Sequence, residues 1–180
     1  MRQEIRFAGF GGQGIILAGY IAGKAAAVYD DKDAIFSQSY GPEARGGACA
    51  AEVVVADEAI DYPLLSHATI TVIMSQEAFQ RYGSTVQEGD TLILDQDLVE
   101  TDTQGKNVYR VPLTRLAEEL GRRIVANIVM LGAFTAVTGV VSKEAMLESV
   151  RTSVPAKTID LNVKAFEAGY EYARKQRTKS

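Results

Sequence analysis

Residues 9 to 14 read Gly-Phe-Gly-Gly-Gln-Gly, behind a short apolar run at Ile5-Arg6-Phe7-Ala8 and ahead of an alanine-rich apolar stretch from Ile15 to Val28. That order spells a strand, a tight turn and a helix start, which few chain geometries satisfy. Glycine permits positive φ and lets other groups approach the backbone closely. The helix start behind the turn presents unpaired N–H groups and a partial positive charge. Gly9, Gly11 and Gly14 fit the G-x-G-x-x-G spacing in the strand-to-helix setting that this pattern requires. Six residues alone carry little specificity. A second glycine segment, Ser39-Tyr40-Gly41-Pro42-Glu43-Ala44-Arg45-Gly46-Gly47, adds to them about one strand further on.

The rest of the chain alternates. Strand-like runs fall near 4–9, 33–38, 48–56, 69–74, 90–95 and 107–111, and helix-like runs near 14–29, 76–82, 113–120, 125–138, 143–151 and 157–175. Such an order predicts an α/β fold, with helices covering a sheet. Val53-Val54-Val55 and Ile70 to Met74 are near-continuous apolar runs, as strands buried on both faces require. No helix separates the strands at 33–38 and 48–56. The expectation is therefore one three-layer domain over residues 1–180: a mixed, mostly parallel sheet with helices on both faces and a Rossmann-like start, with an inserted strand after the second. Ser75 and Ser142 stand where N-caps belong, and Gly83 and Gly121 where helices should stop. Ile159, Val163, Phe166, Tyr170 and Ala173 form one stripe on the last helix.

Composition excludes several classes of function. A net charge of −4 argues against a nucleic-acid or anionic-membrane partner. With Cys49 as the single cysteine, the chain can form neither an internal disulfide nor a four-cysteine iron–sulfur site. That usage suits a reducing cytoplasm. Arg2, Glu4 and Arg6 interrupt the start before a secretory apolar region can form. From Ile124 to Ser142 run 19 uncharged residues, near the length of a membrane span. Asn127, Thr135 and Thr138 punctuate it and Gly132 and Gly139 weaken it as one helix, so a buried helix is expected.

Taken together, the wording of Gly9 to Gly14 and of Ser39 to Gly47 resembles the gamma subunit of the 2-oxoacid:ferredoxin oxidoreductases, closest to the 2-oxoglutarate branch. Ser75-Gln76-Glu77-Ala78 and the segment from Asn162 to Tyr170 extend the resemblance over nearly the whole chain. It implies a subunit of an assembly that oxidatively decarboxylates a 2-oxoacid with coenzyme A to an acyl-CoA and CO2, reducing ferredoxin. The implied partners are alpha and beta subunits, a ferredoxin-like delta subunit and ferredoxin itself. Thiamine diphosphate, Mg2+ and [4Fe-4S] clusters would be held mainly by those subunits, and none by this chain alone.

The residues themselves show no nucleophile elbow, no Ser–His–Asp set and no metal-ligand spacing, so no catalytic or metal residue is assigned. The candidate cofactor-binding or interface residues are Gly9, Gly11, Gly12, Gln13 and Gly14, with Tyr40, Gly41, Arg45, Gly46 and Gly47. Arg45 is the only Lys or Arg between Lys32 and Arg81, and a guanidinium beside a glycine pair suits bidentate capture of a carboxylate or phosphate. The alternative is a stand-alone nucleotide-binding (NAD or FAD) or regulatory Rossmann-like domain. Such a site wants an acid at the end of the second strand, where this chain has Ser37-Gln38-Ser39. His67, the only histidine, reads as an ordinary loop residue and Cys49 as a small core residue. Asn127 and Asn162 lie on apolar helical faces, where each could satisfy a buried backbone group or reach a partner.

Overall fold

The computed structural model describes residues 1–39, 47–105 and 107–178. Six strands form one sheet: β1 (Arg2–Phe10), β2 (Asp33–Ser39), β3 (Ala48–Ala56), β4 (Ile70–Ile73), β5 (Thr91–Asp95) and β6 (Val108–Val111), in the order β2-β3-β1-β4-β5-β6. β1, β4, β5 and β6 pair in parallel. β3 runs antiparallel to β1 and to β2, between them. The inserted strand expected from the missing helix is thus β3, a hairpin return that separates β2 from the strand it would adjoin in a simple Rossmann order.

Among the described residues, six α-helices accompany the sheet: α1 (Ile15–Lys24), α2 (Gln76–Tyr82), α3 (Leu113–Glu119), α4 (Ala126–Thr138), α5 (Lys143–Ser153) and α6 (Ile159–Arg177). Alternate strand residues sort them by face. Ile5 and Phe7 of β1, Val53 and Val55 of β3, and Ile93 of β5 join a core with α1, α3, α4, α5 and α6. Ala8, Ile73, Leu92 and Leu94 face the other way, against Ala78 and Tyr82 of α2 and Val99. Five helices therefore cover one face and α2 covers the other. Right-handed crossovers put α1 and α2 on opposite faces, since β1 reaches β2 through α1 whereas β4 reaches β5 in the opposite direction through α2; α3 to α6 follow the last strand and join the α1 side.

Caps fall where the side chains placed them. The Ser75 hydroxyl accepts from the Ala78 N–H, and the Ser142 hydroxyl from the Ala145 N–H. The helix expected over 14–29 is shorter: α1 ends at Lys24 and a π-helical turn, Ala25–Tyr29, follows it. The Asp30 N–H reaching back to the Ala25 carbonyl marks that widened turn. Gly132 does not interrupt α4. The helix runs through it and stops at Gly139, which takes φ 61°. No helix among the described residues is long and apolar enough to cross a membrane.

On the α2 side, the strap at 57–68 closes over the sheet. Glu4 on β1 accepts the backbone N–H groups of Ser66 (2.6 Å) and His67 (2.8 Å). Asp33 accepts that of Ile60 at 2.8 Å. Burial works against the charged form of Glu4, but the His67, Arg2 and Ser66 donors outweigh it and hold its pKa below the usual glutamate value. His67 lies in this loop and has an acidic partner. Its Nε2 lies 2.8 Å from Asp90, an acid 23 residues away that no local pattern connects to it.

Candidate functional site

β1 and β4 are parallel neighbours whose following helices leave to opposite faces. Outside their carboxyl ends lies a topological switch point, where open α/β sheets leave a crevice for ligands. An open groove of about 500 Å³ occupies that place, lined by Phe10, Gly11, Gly12, Gln13, Ser75 and Gln76, with Leu98 and Arg123 at its rim. A smaller cleft of about 250 Å³ lies beside it, between Gly12 and Gln13 and the segment carrying Arg123 and Ile124.

The glycine turn owes its shape to side chains at both flanks. The Gln13 carboxamide folds back, accepting the Phe10 N–H at 2.6 Å and donating to the Met74 carbonyl at 3.0 Å. It thereby ties the end of β1 to the end of β4. A Cβ at Gly9 would meet Gln13 Oε1 at 2.6 Å and Ile15 Cδ1 at 2.7 Å, so Gly9 is needed for packing. Gly12 (φ 94°) and Gly14 (φ 75°) occupy left-handed backbone that side chains resist. Gly14 also faces Asn127 of α4, whose side chain fills the space a Cβ would need. Gly11 differs from all of these. It is exposed, its φ lies outside the positive region, and a Cβ there would meet nothing within 4 Å.

The other sequence candidates divide in two. Gly47 is described, half-buried at the start of β3. Tyr40, Gly41, Arg45 and Gly46 lie outside the described residues. Ser39 ends β2 two positions short of Phe10 along the sheet, since Phe10 pairs with Ala48 and Ser39 with Ala50. Both ends of the second glycine segment therefore stand at the same sheet edge as the first turn.

Arg123 and Ile124 are lining residues that the sequence reading passed over, because only folding carries them to Gly12. Arg123 pairs with Glu118 at 3.5 Å, with both side chains more than half exposed, so that pair contributes little. Ile124 is 69% exposed and Phe10 42%, leaving apolar surface on either side of the turn. The buried carboxylate of Asp95, at the end of β5, has its bonds taken: it accepts from the Thr114 N–H (3.0 Å) and hydroxyl (2.7 Å) and from the Asp97 N–H. It anchors the start of α3. Cys49 packs against the larger core, and burial pushes its thiol pKa up, away from a reactive thiolate.

The topology also bears on a dinucleotide site. Its ribose acid would come from the carboxyl end of a parallel strand beside β1. Here that neighbour is β3, which runs the other way and presents its start, Ala48-Cys49, at this edge.

The family model for pyruvate ferredoxin/flavodoxin oxidoreductase matches residues 4–172. The chain belongs to that family. It is 52% identical over 178 residues to the 2-oxoglutarate synthase subunit KorC of Methanocaldococcus jannaschii, covering 97% of this chain and 95% of that protein. Among solved structures, the gamma subunit of the keto/oxoacid ferredoxin oxidoreductase from Geobacter sulfurreducens PCA is 46% identical, with a TM-score of 0.86 over 95% of this chain and 98% of the other. The fold recurs in the 2-oxoglutarate:ferredoxin oxidoreductase of Magnetococcus marinus, at 22% identity and a TM-score of 0.84, covering 99% of this chain and 32% of that one.

Proposed function

We propose that this chain is the gamma subunit of a 2-oxoglutarate:ferredoxin oxidoreductase and acts only within that assembly. The assembly oxidatively decarboxylates the 2-oxoacid with coenzyme A to an acyl-CoA and CO2 and passes the electrons to ferredoxin. The observation that carries this reading is the 52% identity to a 2-oxoglutarate synthase subunit over nearly the full length of both chains. Identity at that level favours the subunit over a stand-alone nucleotide-binding domain, as does the reversed strand beside β1.

Thiamine diphosphate and iron–sulfur chemistry belongs to the assembly. With one cysteine this chain cannot by itself supply the four thiolates of an iron–sulfur cluster, and we assign the clusters and thiamine diphosphate to the other subunits. What this chain supplies is position. Residues 1–180 act as one gamma-type domain whose turn at Gly9 to Gly14, with the segment Tyr40 to Gly47, faces the alpha and beta subunits near the active-site or coenzyme A entrance. The exposed Phe10 and Ile124 beside the open Gly11 support that orientation, since a subunit interface leaves apolar surface uncovered in the free chain. Arg45 is the residue of the second segment suited to a carboxylate or phosphate. The cytoplasm is the setting that ferredoxin-linked chemistry and a lone thiol suit.

Mixing the purified chain with its partner subunits tests this directly. The chain alone should show no 2-oxoglutarate-dependent reduction of ferredoxin and no heat on titration with NAD. Adding it to the other subunits should restore turnover. Micromolar NAD binding, or full turnover without this chain, would overturn the proposal.

A further inference from the structure

We infer that Asn127, buried at the start of α4 and 113 residues from the turn, is the positioning residue that sets the glycine loop. Its side-chain amide donates to the Gly14 carbonyl at 3.2 Å. That carbonyl also accepts the Ala18 N–H at 3.0 Å, the first hydrogen bond of α1. A carbonyl can only accept, so the amide nitrogen is the atom that faces it. The contact is steric as well as polar. A Cβ at Gly14 would lie 3.0 Å from Asn127 Cγ and nearer still to Nδ2, so asparagine and glycine fit as a pair.

Gln13 holds the other flank, on Phe10 and Met74. Between the two amides, Gly11 and Gly12 have open space around them. The turn is therefore pinned at its flanks from inside the chain and bare at its tip. Asn127 is only 5% exposed. Its effect must pass through Gly14, which makes it a positioning residue.

This inference rests on the reading that the turn faces the partner subunits, and the two can fail separately. Asn127→Asp keeps the size of the side chain and places an acceptor against the Gly14 carbonyl. Asn127→Ser is the milder second variant, should the first fold poorly. Hydrogen exchange at the hydrogen-bonded amides of the turn, Phe10 and Gln13, should quicken roughly tenfold while exchange in α4 keeps its wild-type rate. In reconstitution with the partner subunits, the amount of variant giving half-maximal 2-oxoglutarate oxidation should rise roughly three- to tenfold, with kcat at saturation unchanged. A lower melting temperature with wild-type exchange in the turn and a wild-type midpoint would overturn the inference. Gly11→Trp tests the underlying reading. If it reconstitutes as the wild type does, the turn does not meet the partners, while exchange in the Asn127 variants still decides the positioning role.

Discussion

Gly11, at the tip of the turn, and the glycines of the α4–α6 contact do opposite things. Gly132 and Gly169 sit where α4 and α6 cross. A Cβ at Gly132 would meet the Phe166 carbonyl and lie 2.8 Å from the Tyr170 nitrogen, and one at Gly169 would meet the Val129 carbonyl, with the Val129 carbonyl carbon at 2.8 Å. These glycines exist for the inside of the chain, because backbone approaches backbone there. Gly11 has no internal reason to be glycine, and Gly12 has only its backbone angle. One residue type thus marks the tightest internal packing in one region and, in the other, an exposed tip with open space around it; the approach of a partner subunit to that tip is the proposal.

The comparison can be broken first at the helix crossing. Gly132→Ala or Gly169→Ala must force α4 and α6 apart, since backbone cannot swing aside as a side chain can. Each should cost about 3 kcal/mol or more, read as a large fall in the urea midpoint of the isolated chain. A loss below about 0.5 kcal/mol would show that the crossing is not tight. Next comes Gly14→Ala, which combines left-handed backbone with displacement of Asn127 and should cost about 2 kcal/mol, against about 1 kcal/mol for Gly12→Ala, where only the angle resists. Equal losses at the two positions would remove Asn127 from the account.

A smaller effect sharpens the comparison by testing a part of the sheet that neither glycine set touches. The folded pKa of Glu4 is depressed, so its stabilisation is complete above the ordinary glutamate pKa of about 4.3. It is lost as pH falls through the folded value. Glu4→Gln should therefore lower the melting temperature at pH 7 more than at pH 3. Equal losses at both would mean that the carboxylate charge does not hold the 57–68 strap.

Much of the fold was legible because it is local. The run from Ile70 to Met74, apolar but for Thr71, became the central parallel strand β4 (Ile70–Ile73), and the missing helix between 33–38 and 48–56 became the reversed β3. Ser75 and Ser142 cap helices as their positions required. Three-dimensional pairings were not legible. His67 and Asp90 meet across 23 residues and Asn127 and Gly14 across 113, and nothing in local spacing joins them. Gly132 read as a weak point in a helix, whereas the crossing of α4 with α6, invisible to local reading, makes it a contact. At the candidate site, motif spacing located Gly9 to Gly14 correctly at a strand-to-helix turn. It could not separate Gly12 and Gly14, fixed by φ, from Gly11. Positive φ, which glycine permits, is the reason for Gly12 and not for Gly11.

The central claim is that the tip of the glycine turn is kept clear for the partner subunits, and Gly11→Trp probes it with the least ambiguity. The isolated variant should melt within about 0.5 kcal/mol of the wild type, as an exposed substitution with room around it does. Titrated against the partner subunits, it should fail to restore 2-oxoglutarate-dependent ferredoxin reduction, or restore it only at far higher concentration. A variant that folds normally and reconstitutes full activity at the wild-type concentration would contradict the account.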